Sequence, residues 1–163
     1  MGGGVGCGFW DVKGGFQNVV GSEVLGYLDE VNGTSGLCRW VREFVFSRSF
    51  EVSWDSAVRG VGWSTRGVSK GFPLSPVLFL VWMALILVEM ERRVREEVPG
   101  VGVEFPSYVD DLHCQLYDER ESCRGMEEIE RWEGMGDLVD RVSVVIKEVA
   151  AERGLPLAED KEE

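Results

Sequence analysis

The chain has 163 residues, 44% of them hydrophobic, enough to bury one core of ordinary size, so neither a disordered chain nor a many-domain layout is expected. Its 29 acidic residues outnumber 17 basic ones, and the formal net charge of -12 argues against an independent grip on a phosphate backbone, which clustered Lys and Arg normally supply. Cys7, Cys38, Cys114 and Cys123 form no CxxC pair and no regular spacing, which excludes a zinc ribbon or disulfide framework and leaves reduced, intracellular thiols.

The opening segment MGGGVGCGFW lacks the basic start and continuous apolar stretch of a secretory signal. Val5 to Val12 reads as a short buried strand that delivers Asp11 at its end. From Ser22, a capping residue, Val24, Leu25, Leu28 and Val31 recur at helical spacing. After the turn NGTSG a second helix follows, with Leu37, Trp40, Val41, Phe44 and Val45 as its stripe. The period then changes to two: Phe50, Val52 and Trp54 alternate with Glu51 and Ser53, and AVRGVGW returns after Asp55-Ser56, a hairpin pattern.

A Gly- and Pro-rich loop, RGVSKGFPLSP, opens onto the longest apolar stretch, Pro76 to Val88. That stretch is short of the roughly 20 residues that span a bilayer, so it reads as a core helix, and no membrane association is expected. The strands GVEFPSYV and LHCQLYD flank Asp110 and Asp111. A long amphipathic helix follows, with Ile129, Trp132, Leu138, Val142, Val145 and Val149 on its apolar side and Gly154 to stop it. The end, LPLAEDKEE, reads as a short strand leading to Lys161. The order predicts an α+β fold, an antiparallel sheet with helices packed on one face.

Adjacent aspartates are ordinary turn residues, and alone Asp110-Asp111 would read as a solvated hairpin tip. Tyr108, Val109, Leu112 and Cys114 make the flanking strands apolar, and no Arg or Lys lies nearby to compensate two like charges. A Mg²⁺ ion with carboxylate ligands would do so, and Asp11 is the candidate third ligand.

Four strings, DVKGGFQNV (11–19), GVSKGFPLSPVLFLVWMALILVEME (67–91), YVDD (108–111) and GLPLAEDKEE (154–163), resemble in order the palm motifs of a reverse transcriptase, an RNA-directed DNA polymerase. The closest likeness is to the polymerases of fungal non-LTR (LINE-like) retrotransposons. The resemblance implies a polymerase palm in which Asp11 and Asp110, with Asp111 as an auxiliary ligand, hold two Mg²⁺ (or Mn²⁺) ions about 3.5 to 4 Å apart for nucleotidyl transfer. It implies that the backbone of Val12, Gly14 and Gly15 lies near the triphosphate, that Phe16 excludes a ribose 2′-hydroxyl, and that Tyr108, just before the metal ligands, binds substrate. Lys70 and Gly71, with Pro73 and Ser75, match the loop that supports template and nascent base pair, and Lys161 matches the general acid that protonates pyrophosphate. Partners would be an RNA template, a DNA primer and dNTP, and the place of action would be the nucleus.

The departures are specific. Ser69, Lys70, Gly71 and Phe72 stand where the family usually has Pro-Gln-Gly-Ser, and Gln17 stands where a second acidic residue is usual. Read with the short segment before Asp11 and none after Lys161 that could form a thumb, these features lead to the expectation of a single partial reverse transcriptase domain, 1–163, a palm without fingers or thumb. Such a fragment would bind nucleic acid weakly and have little or no polymerase activity alone. Two other readings stand beside it: a non-catalytic interaction module built on the apolar helix around Leu78 to Leu87 and the six tryptophans, and an unrelated metal-binding α+β domain.

Overall fold

Stretches of period two become strands and those of helical period become helices, in the order β1 (Val5–Asp11), α1 (Gly15–Asn18), α2 (Gly21–Asn32), α3 (Gly36–Phe46), β2 (Arg48–Trp54), β3 (Ala57–Ser64), α4 (Ser75–Glu97), β4 (Val101–Glu104), β5 (Asp111–Asp118) and α5 (Glu128–Arg153). The structure, a computed structural model, describes residues 5–32, 36–46, 48–54, 57–64, 66–107, 111–118 and 128–158. It divides into two compact units, Met1–Gly15 with Met83–Glu163 and Phe16–Trp82, the division falling inside α4.

In the first unit β1, β5 and β4 form an antiparallel sheet with β5 in the centre. Alternation along β1 and β5 sends Trp10, Leu112, Cys114 and Leu116 to a buried face. The apolar stripe of α5, including Leu138, Val142, Val145, Ile146 and Val149, is buried in the same unit. Each such side chain, fully buried, contributes about 1.5–3 kcal/mol of transfer free energy. Helix and strand come close because Gly6 has no side chain: a Cβ there would stand 2.8 Å from Val139 and 3.2 Å from the Met135 sulfur.

The C-terminus of α5 is closed by the paired hydrogen bonds of a Schellman cap. Gly154 N–H donates to the Ala151 carbonyl at 3.1 Å and Leu155 N–H to Ala150 at 2.7 Å, with Gly154 at φ 67°. The chain then returns to β1, where Lys13 N–H donates to Pro156 O and Ala158 N–H to Asp11 O around a Val12–Leu157 bridge.

The second unit holds α1 from Phe16 on, α2, α3, the β2–β3 ribbon and the start of α4. Val19, Val24, Leu25, Val41, Val68, Leu78, Phe79 and Trp82 are buried. Trp82 satisfies its indole N–H by donating to the Glu23 carboxylate at 3.0 Å, as a buried Trp requires. Helix α4 begins with Ser75, whose hydroxyl donates to Ser69 O at 2.6 Å, and with Pro76, whose missing N–H costs nothing in a first turn.

Several expectations change in detail. There are two sheets rather than one, because the β2–β3 ribbon pairs only with itself among the described residues. Val101–Glu104 is the whole of β4, and Phe105–Ser107 is irregular, as a Pro at position 106 that cannot donate to a ladder would favour. The final segment makes an isolated bridge at Leu157 rather than a strand, and Glu159–Glu163 lies outside the described residues. Leu37 and Trp40 of the α3 stripe and Val31 of α2 are exposed, whereas the Leu78–Leu87 helix proposed as an interaction surface buries Leu78, Phe79, Trp82, Met83 and Ile86. No helix among the described residues is long and apolar enough to cross a membrane.

Candidate functional site

The register of β1 against β5 runs Val5 to Tyr117, Cys7 to Gln115, Phe9 to His113 and Asp11 to Asp111, interleaved with the buried rows. Residues directly opposite in an antiparallel pair project to the same face, with Cα atoms about 4.5–5.5 Å apart. Asp11 and Asp111 therefore form one carboxylate row at the end of an open sheet face, both exposed. The flanking buried residues, Trp10, Val12 and Leu112, point the other way, so the expectation of aspartates held within buried strands is corrected: the strand is buried on one face and the carboxylates stand on the other. Asp111 is the first residue of β5.

Like charges directly opposite each other in a sheet are destabilising. Among the described residues neither carboxylate has an ion-pair partner. The backbone of Asp11 is fixed all the same, on one side by β5 and on the other by the hydrogen bond from Ala158. Carboxylate oxygens are hard donors of the kind that Mg²⁺ and Mn²⁺ take. The described residues contain no group of three or more His, Cys, Asp or Glu side chains placed to share a metal. Asp110 and Tyr108, and likewise Lys161, lie outside the described residues.

The other expected site residues fall in both units. Val12 is buried beneath the Leu157 bridge, Gly14 turns at φ 64° and Gly15 is buried at the start of α1. In the second unit, Phe16 is half-buried, its ring 5.1 Å from that of the fully buried Phe79, and Val68 N–H donates to Phe16 O at 2.7 Å. Lys70 and Gly71 are exposed on the loop before α4, Gly71 at φ 83°.

Two features escaped the motif reading. Phe9, 61% exposed, meets His113 edge-on with ring centroids 4.8 Å apart, one register step from the carboxylate row. Its place two residues before Asp11 in an alternating strand was the available signal. The second is Arg48, which donates to Ser69 Oγ at 3.1 Å, to Arg66 O at 3.3 Å and to Gly67 O, and so ties β2 to the loop that carries Lys70. Nothing local in the sequence joins Arg48 to a loop some twenty residues away. Burial pushes the Cys114 thiol, on the covered face, up to about 12, with Cys7 adding a smaller push, so that thiol stays protonated and takes no part in the open face.

No family model and no curated protein matches the sequence. Among solved structures, the apo telomerase from Candida tropicalis truncated from its C-terminal domain matches with a TM-score of 0.54 and 14% identity, over 98% of this chain and 32% of the telomerase chain. The chain thus spans about a third of that protein's length, and the likeness is one of fold.

Proposed function

We propose that the chain is a reverse transcriptase palm, a nucleotidyltransferase core in which Asp11 and Asp111, with Asp110, hold Mg²⁺ or Mn²⁺. The observation that carries this reading is the cross-strand pairing of Asp11 with Asp111 on an open sheet face. Residues a hundred positions apart meet as two carboxylates with no ion-pair partner among the described residues, an arrangement that costs free energy unless a cation binds. The fold likeness to telomerase, a reverse transcriptase-related enzyme, supports the same assignment. When bound, the ion supplies charge neutralisation and Lewis acidity for phosphoryl chemistry. The chain's own contribution is to hold the carboxylates on paired strands, with Ala158 and Pro156 fixing the backbone on either side of Val12.

On this reading the substrates are an RNA template, a DNA primer and dNTP, the parent is a non-LTR retrotransposon, and the place of action is nuclear. Lys70, in place of a glutamine that would accept as well as donate hydrogen bonds, makes the chain a poor polymerase. Titration with Mn²⁺, followed by electron paramagnetic resonance, tests the site directly. Asp11→Asn and Asp111→Asn should each weaken binding at least about tenfold, or roughly 1.4 kcal/mol. Unchanged affinity in both variants refutes the metal site. Strong primer extension by the unaltered chain, abolished by Asp110→Asn, would keep the site and remove the claim of weak activity.

A non-catalytic interaction module remains as a second reading because Phe50, Val52, Val61 and Trp63 are all more than half exposed on the β2–β3 ribbon.

A further inference from the structure

The three-stranded sheet of the first unit has two edges, and the chain treats them differently. The edge of β1 is engaged at Asp11, whose carbonyl accepts from Ala158 N–H at 2.8 Å. β4, at the other edge, pairs with β5 on one side and with no strand on its outer side among the described residues. In an antiparallel ladder alternate residues turn their N–H and C=O away from the partner, so half of the β4 backbone groups point outward from the sheet. Such an edge is a template for a further strand.

A groove runs along that edge. Two cavities, of about 390 and about 270 Å³, share Glu91, Val103 and Glu104 as walls. The larger is lined both by Tyr117, which stands on the open sheet face, and by Val101, which is buried on the covered one, so it wraps around the edge. The smaller adds Leu87, Val88 and Phe105, and Val88 is 65% exposed. Leu87, Val88, Glu91 and Arg95 fall on one side of α4 and make the groove's far wall.

Charge selects the occupant. Residues 16–82 contain six basic and six acidic residues, so the whole net charge of -12 belongs to the unit that carries this edge. In the groove Arg95 pairs with Glu91 at 2.6 Å. Glu104 is exposed and accepts from the Tyr117 hydroxyl at 3.3 Å, but has no ion-pair partner among the described residues. A second copy of so acidic a unit is repelled here, and a cationic segment is attracted. The pleat adds a pattern: Val103 and Glu104 face opposite sides of the sheet, so a strand laid beside β4 sends alternate side chains toward Leu87, Val88 and Val103 and the ones between toward Glu104.

We propose that the free edge of β4, with the groove along α4, binds an extended protein segment in which apolar and basic residues alternate, added to the sheet as a fourth strand. Main-chain hydrogen bonds supply the affinity, and contacts at Val88 and Glu104 supply the choice of side chains. These residues lie outside the carboxylate site, so binding here needs no metal.

Fluorescence anisotropy with a labelled hexapeptide of alternating Lys and Val, on the full chain in EDTA at low salt, tests this. Glu104→Lys should weaken binding at least about threefold by turning an exposed ion pair into repulsion. Glu30→Lys, the same change of charge at an exposed position in the second unit, should weaken it less than about twofold. Val88→Gln, on an exposed helix position, should weaken it at least about threefold through lost apolar contact. Of two peptides N-methylated at every Val or at every Lys, the one whose methyl groups face β4 should bind at least about tenfold more weakly than the other. Equal binding of the two methylated peptides overturns strand addition. Glu104→Lys no weaker than Glu30→Lys, Val88→Gln within twofold of the parent, or no binding by the parent each overturns the site, and a dimer of the parent that Val88→Gln abolishes assigns the edge to a second copy instead.

Discussion

The two units manage polar and apolar surface in opposite ways. Residues 1–15 and 83–163 carry all of the net charge of -12 and order it by face: Leu112, Cys114 and Leu116 of β5 go inward, while Asp11, Asp111, His113 and Gln115 share a face that faces out. Residues 16–82 are neutral and leave large apolar groups outside, among them Leu37, Trp40, Phe50, Val61 and Trp63. A two-stranded ribbon and short helices cannot cover both faces of every element, whereas a three-stranded sheet can turn one whole face to a long helix. Both units expose some apolar groups, Phe9 among them in the first, but only the first sets opposed carboxylates at a defined register position, and the second exposes more large rings.

The largest test of this contrast lies in the core of the first unit. Ile146, fully buried on α5, should lose about 2–5 kcal/mol of stability on replacement by Ala, read by chemical denaturation. Hydrogen exchange at β1 and β5 should accelerate accordingly, and unchanged protection there would show that α5 is not what covers the sheet.

In the second unit the sensitive point is backbone. Gly67 sits at φ 75°, and a Cβ there would lie 2.7 Å from the Gln17 carbonyl oxygen, which cannot swing aside as a side-chain tip could. Gly67→Ala should therefore cost about 1–3 kcal/mol. It should also loosen the loop that Arg48 holds, seen as faster proteolysis between Arg66 and Phe72. A variant as stable as the parent would mean that the loop is not held in this conformation.

The smallest effect has the opposite sign. Without divalent ions, Asp111→Asn should stabilise the chain by about 0.2–1 kcal/mol, because it removes like-charge repulsion across β1 and β5. The gain should shrink in high salt and reverse when Mn²⁺ is added, since only the parent then gains from binding. A loss of stability at every ion concentration would mean that Asp111 is a structural residue and not a ligand.

Much of the fold was legible because its signals are local. The strand ending at Asp11 and the helices with their stripes at Val24–Leu25 and Leu138–Val149 follow from periods of two and 3.6. The α3 stripe predicts a buried face, yet Leu37 and Trp40 are exposed while Val41 is buried. The segment after Gly154 reads as a strand, and among the described residues its pairing is a single bridge at Leu157.

By itself the sequence determined the elements, the excess of acid and the presence of aspartates at two strand ends, since each depends on residue type and short-range spacing alone. Only the tertiary structure decided that Asp11 faces Asp111 rather than empty solvent, that Arg48 holds the Lys70 loop and that Trp40, Phe44 and Phe72 stack. Each of these is a meeting of distant segments, fixed by strand register and by burial, which a one-residue slip of β5 against β1 would undo.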